Sequence, residues 1–250
     1  MQNNKQMNNS GQANKATIWF IVGFIVVVTA GVIIAGAYSS GTAANNNTTP
    51  NGFVATTAPA ITAADWSEGN PNAKVSFIEY GDFECPACGE YYPLIQQLVQ
   101  NYSSTVRFVF RNFPLYSIHP FAGISAQAAE AAGLEGGSSK YWAMHNLLYT
   151  KQNEWSTNSA LTPAQVVSQY FDGYAQSIGL NVGTFNTDIN ASSVMNKIQN
   201  DVVGGTSAQI DHTPTFFVNL KQIPNPTSLN DFENTLNAAI ASSTATSSGQ

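Results

Sequence analysis

Apolar residues in this chain fall into three kinds of run. The first is Thr17–Ala37, "TIWFIVGFIVVVTAGVIIAGA", 21 residues without a charge. At ~1.5 Å of rise per residue a helix of that length spans roughly 30 Å, the thickness of a bilayer core, and a transmembrane helix is predicted. The second kind is short and rich in β-branched and aromatic residues: Val75–Tyr80 (VSFIEY), Val106–Phe110 (VRFVF) and Thr215–Asn219 (TFFVN). These predict buried strands, the last with a short hairpin partner around Gln222–Ile223. The third kind recurs at helical spacing, as in Tyr91, Leu94, Ile95, Leu98, Val99 and Tyr102, and again in Leu229, Phe232, Leu236 and Ile240. Strand, helix and strand over 75–110 make a βαβ unit.

Between the second and third strands the pattern is helical over about 120–210. An Ala-rich run covers 122–132 and an aromatic amphipathic run covers 138–149. In "TPAQVVSQYF", Thr162 suits a helix cap and Pro163 the first turn. Polar stretches divide the chain. Residues 1–16 are Asn/Gln-rich, and residues 38–64 are small and uncharged, the composition of a flexible tether. A folded domain is expected over 65–242, and 243–250 forms a tail.

Charge adds direction. Lys5 and Lys15 precede the long apolar run, and no Lys or Arg follows it until Lys74. The positive-inside rule keeps 1–16 in the cytoplasm and exports the rest, so 17–37 is read as a single-pass signal-anchor in the cell membrane. The alternative is a cleaved signal peptide, for which Ala35-Gly36-Ala37 fits a small-x-small site, although the run exceeds the ~7–15 residues of a signal core. Nine basic and fifteen acidic residues give a net charge of −6. That balance argues against nucleic-acid binding, which needs a basic face. Hydrophobic residues make up 43% of the chain, enough for a packed core.

The chemistry lies in "EYGDFECPACGEYYP", which holds the chain's two cysteines, Cys85 and Cys88. A bridge between them closes a four-residue loop and stabilises by only roughly 2 kcal/mol, against ~4.7 for a loop of about 100 residues, so a structural staple would sit elsewhere. A zinc site needs four ligands, and His119, His145 and His212 stand at no matching spacing. A redox role uses the placement. Cys85 follows a strand and opens a helix, where backbone N–H groups and the helix dipole favour a thiolate. Its disulfide with Cys88 would then be readily attacked. The three histidines are read as packed or hydrogen-bonded, with His212 the one nearest the expected site.

"FIEYGDFECPACGEYYP" and "HTPTFFVN", with weaker support from "FVFRNFPLYSIHPFA" and "YWAMHNLLYTKQNEW", resemble the DsbA-like thiol:disulfide oxidoreductases of the thioredoxin superfamily. The resemblance covers about 66–242. It implies a thioredoxin-like α/β fold with a helical insertion at about 115–210. Cys85 matches the exposed nucleophile and Cys88 its buried partner. Pro214 matches a proline with a cis peptide bond, which brings Thr213 to the substrate-binding side. Glu79 matches a buried acid that moves protons to and from Cys88, and Pro93 matches a helix-kinking proline. The implied activity is disulfide formation in exported, unfolded or reduced proteins, with reoxidation by a quinone-linked membrane partner and no metal or organic cofactor. Two departures bear on this. Pro86-Ala87 replaces the Pro-His of strongly oxidising members, so a milder oxidant is expected, and Leu220 stands where such hairpins often use glycine. A reductase or isomerase of the same fold, or a binding module with an inert disulfide, are the alternatives.

Overall fold

The computed structural model describes residues 55–245. The expected cytoplasmic segment 1–16, the membrane helix 17–37, most of the tether and the last five residues lie outside the described residues. Among the described residues no helix is long and apolar enough to cross a membrane.

Five strands form one sheet: β1 (Ser67–Gly69), β2 (Val75–Gly81), β3 (Val106–Asn112), β4 (Thr215–Val218) and β5 (Lys221–Ile223), in spatial order β1-β3-β2-β4-β5. Only β2 and β3 are parallel, joined through helix α1 (Pro86–Tyr102). The other neighbours are antiparallel. Both central strands are buried on both faces, which is why they read as continuous apolar runs rather than alternating ones. On one face Phe77, Phe108 and Phe216 pack with Ile95 and Leu98 of α1 and with Phe232 and Leu236 of the last helix, α9 (Leu229–Ala245). On the other, Ile78, Tyr80, Val109 and Phe217 pack beneath Ala58, Ala208 and Ile210. Burying one such aromatic or aliphatic side chain stabilises by about 1.5–3 kcal/mol.

Between β3 and β4 lies the insertion: α2 (Ala122–Gly136), α3 (Ser138–Thr150), α4 (Gln152–Trp155), α5 (Pro163–Val166), a π-helical turn (Val167–Phe171), α6 (Asp172–Ser177), α7 (Val182–Asp188) and α8 (Ser192–Ser207). Thr162 caps α5 with a reciprocal box: its hydroxyl accepts from Gln165 N–H at 3.3 Å, and Gln165 Oε1 accepts from Thr162 N–H at 2.8 Å. The insertion has its own core around Trp155, Phe171 and Phe185, and that core includes Phe83, Cys85 and Cys88. The cysteines therefore sit where the sheet and the insertion meet.

One boundary differs from expectation. Residues 56–58 were expected in the tether, yet they pair with β5: Gln222 N–H donates to Thr56 O at 2.9 Å and Ala58 N–H to Leu220 O at 2.8 Å. The following residues are held by Arg111, which bonds Asp65, the carbonyls of Pro59 and Ala60, and Tyr80. The β4–β5 turn keeps Asn219 and Leu220 both at positive φ, 49° and 66°. That is the backbone of a tight hairpin turn, here made without glycine. Asn219 is tied down by Ser76, whose N–H donates to Asn219 Oδ1 at 3.0 Å.

Candidate active site

Strand β2 ends in a turn that aims Cys85 at the start of α1. Cys85 is the N-cap, in extended conformation with φ −66° and ψ 120°, and Pro86 follows it, where a missing N–H costs nothing. Asp82 organises the turn. Its side chain accepts from Glu84 N–H at 2.8 Å and Leu115 N–H at 2.9 Å, and pairs with His119 Nδ1 at 2.6 Å. Glu84 reaches across to Phe121 N–H at 2.5 Å. Two buried carboxylates thus fasten the turn to the segment that follows β3.

Both cysteines are buried: Cys88 wholly, and Cys85, expected to be exposed, with only 6% exposure, because the helical insertion packs over it. The Cys85 thiol is pulled down to about 5, first by a hydrogen bond from the Cys88 thiol. Burial opposes this, and the Thr213 hydroxyl and the N–H groups of Cys88 and Ala87 add to it. Thr213 Oγ1 is buried with no other partner among the described residues. In the thiol form Cys85 Sγ donates to the Thr213 carbonyl at 3.4 Å. Burial pushes Cys88 well above its ordinary value, reinforced by its pairing with Cys85 and by the charges of Glu79 and Cys85. One sulfur is therefore an anion near neutral pH while the other keeps its proton and donates it. The Thr213–Pro214 bond is cis.

Glu79 projects from β2 and is 5% exposed; burial, and then the Cys85 charge, raise its carboxyl to about 8. The structure thus brings Cys85, Cys88, Glu79 and Thr213 together, with Pro214 adjoining. Among the described residues no group of three or more His, Cys, Asp or Glu is placed to hold a metal. His212 instead pairs with its exposed neighbour Asp211, and His145 is buried.

A family model described as thioredoxin matches residues 62–238. This chain belongs to the thioredoxin family. Solved structures share the fold of this thioredoxin. Oxidised BdbD from Bacillus subtilis superposes with a TM-score of 0.64 at 22% identity, covering 74% of this chain and 97% of that one. Wolbachia pipientis alpha-DsbA1 with two cysteines replaced gives 0.64 at 20% identity, covering 74% and 95%. The catalytic domain of Proteus mirabilis ScsC gives 0.57 at 18%, covering 72% and 91%. Among curated proteins, the Na(+)/H(+) antiporter NhaA 1 of Salinispora arenicola is 37% identical over 155 residues, 62% of this chain and 22% of that protein. The NhaA 3 of Salinispora tropica is 34% identical over 178 residues, 71% and 25%. The thioredoxin chain spans a quarter or less of these two relatives.

Gln152 escaped the sequence reading. It opens α4 and donates through Nε2 to the carbonyls of Phe83 at 2.8 Å and Cys85 at 2.9 Å. Its amide packs on Gly89, where any Cβ would collide with it. No local pattern marks such a contact. Asp82 did leave a sign, since an Asp two residues before a polar N–H donor favours an Asx turn.

Proposed function

We propose that this chain is a protein thiol:disulfide oxidoreductase held on the outer face of a membrane by residues 17–37, working mainly as an oxidase. A substrate thiolate attacks Cys85 Sγ of the Cys85–Cys88 disulfide. The S–S bond breaks, Cys88 leaves with the electron pair and takes a proton from Glu79, and a mixed disulfide joins substrate and Cys85. A second substrate thiolate then attacks the substrate sulfur and expels Cys85 as the thiolate. Two electrons have passed from the substrate dithiol to the enzyme dithiol. Reoxidation returns them to an acceptor, for which a quinone-linked membrane protein is the natural class. Thr213 and Pro214 face the substrate segment beside the sulfur.

The observation that carries this reading is the split between the two sulfurs. A stable Cys85 thiolate is a good leaving group and stabilises the reduced enzyme, so the disulfide is oxidising. About 5 lies between the ~7 of a thioredoxin and the ~3.5 of DsbA. That supports an oxidant of intermediate strength, as Ala87 in place of a histidine suggests. The test is equilibration of the chain in glutathione buffers followed by mass tagging of free thiols. A potential between about −120 and −200 mV is expected, and one near −270 mV would assign reductase work instead.

A further inference from the structure

On the α1 face of the sheet, β1, β3 and β2 carry a row of side chains: Glu68 pairs with Phe108, Phe108 with Phe77, and Glu79 stands beside Phe110 one step further along. Two strand spacings and one two-residue step put the Cα atoms of Glu68 and Glu79 about 12 Å apart on one face. Between them lies a small cavity of about 10 Å³, lined by both glutamates and by Gln96, Phe110, Trp142 and His145 among others. That is about the space of one water.

Two ring nitrogens in this wall are buried without a partner among the described residues, Trp142 Nε1 and His145 Nε2. His145 Nδ1 lies 3.0 Å from Asn146 Oδ1, which can only accept. The hydrogen therefore sits on Nδ1, and Nε2 offers a lone pair. The indole N–H is a donor. A water between them receives one hydrogen bond, gives one, and has a proton left for a carboxylate. Glu68 is half-buried at the edge of the sheet, and Glu79 lies near enough to Cys88 for its charge to raise that thiol.

We propose that Glu68 is the outer station of a proton relay, in which one water seated by Trp142 and His145 connects it to Glu79 and thence to Cys88. This rests on the oxidoreductase reading above and extends it. When Cys88 attacks a mixed disulfide on Cys85, its thiol proton passes to the Glu79 carboxylate. Glu79 hands a proton to the water, the water gives one to Glu68, and Glu68 releases it to solvent. When the Cys85–Cys88 disulfide is opened by substrate, the same chain runs inward. Trp142 and His145 act as positioning residues. The titratable groups facing this route are Tyr92 from α1, which feels the charge of Glu68, His145 and Tyr149 from α3, and the two cysteines. Substrate meets Cys85 beside Thr213, so protons and substrate would use different doors.

The test follows resolution of the Cys85–glutathione mixed disulfide in the 250-residue chain, with Glu68→Gln and Trp142→Phe as variants. In dilute buffer Glu68→Gln should resolve about tenfold more slowly, less than the ~10²-fold of a group that transfers the proton directly, because Glu68 acts through the water and Glu79. Rising imidazole concentration should restore its rate, and the pH profile of Cys85 alkylation should be unchanged. Trp142→Phe, which keeps a ring and removes the N–H, should slow the same step. A Glu68→Gln rate equal to wild type, or a loss that buffer does not restore, overturns the relay while leaving the oxidoreductase intact. A wild-type chain that forms no mixed disulfide overturns the reading beneath it, and the relay with it.

Discussion

Gln152 Nε2 lies 2.9 Å from the carbonyl oxygen of Cys85, so a residue of the helical insertion holds the backbone that carries the Cys85 sulfur. The same amide holds Phe83 O, and both carbonyl-bearing residues are buried. The insertion is thereby part of the site rather than an ornament on it.

Gln152→Ala removes both bonds. Cys85 O retains Gly89 N–H at 3.2 Å, but Phe83 O loses its side-chain donor. Leaving such a group unsatisfied costs about 1–3 kcal/mol, readable as a lower urea midpoint. The first turn of α1 loses its brace, so the Cys85 thiol is expected to titrate higher than in the parent, measured by alkylation across pH.

Thr213→Val keeps the shape of a side chain whose hydroxyl helps lower the Cys85 thiol. Removing that donor should raise the Cys85 midpoint by up to about one unit, worth ~1.4 kcal/mol, and weaken the oxidant correspondingly. Thiol titration and redox equilibration of the same sample check both. An unchanged midpoint would mean that the N–H groups and the Cys88 thiol suffice.

Glu79→Gln separates function from stability. In the parent the carboxyl is raised from 4.5 to about 8, chiefly by burial. A raised acid contributes stability that is present below about 4.5 and lost as pH climbs through about 8. The amide escapes that loss, so the variant should be more stable at neutral pH by roughly 2–3 kcal/mol, with no difference at pH 4. The mixed-disulfide resolution proposed for Cys88 should fall ~10²-fold or more, the order of magnitude for a lost general base, and lose its rise with pH toward about 8. Parallel melts and stopped-flow traces test the pair of outcomes.

Much of this was legible beforehand, and the reason is locality. The CxxC pair, the strand before it and the proline after it are neighbours in sequence, and the central strands betray double burial by their unbroken apolar runs. Glu79 sits at a fixed offset from Cys85 along one strand. What stayed hidden depends on contacts between distant positions. Gln152 meets Cys85 across 67 residues, and Arg111 meets Asp65 across 46. Glu68 reads as an ordinary polar residue until β1 pairs with β3 and turns it toward Glu79's face. His119, read as packed or hydrogen-bonded, is bound to Asp82, a partner that its spacing from that residue does not announce.

The Arg111–Asp65 pair, 2.8 Å apart and nearly buried, fixes the segment that leads into the domain. Burial, the largest single influence, would raise Asp65, but the Arg111 hydrogen bond, the Thr62 N–H and the charges of Arg111 and Lys197 together outweigh it and hold the carboxyl below its ordinary 3.8. Asp65→Ala strands a buried guanidinium and should cost about 3 kcal/mol at pH 7, by urea denaturation. A depressed acid contributes stability above its unfolded value and loses it as pH falls through the folded one. The gap between parent and variant should therefore narrow below pH 3.8.

The most direct measurement is the rate of Cys85 alkylation in the reduced chain as a function of pH. An inflection near 5, with the reactive thiolate persisting to neutral pH while Cys88 stays unmodified, is the predicted result. A single inflection at or above the free-thiol value of about 8.5 would contradict the account, because the sulfur at the tip of α1 would then be an ordinary thiol.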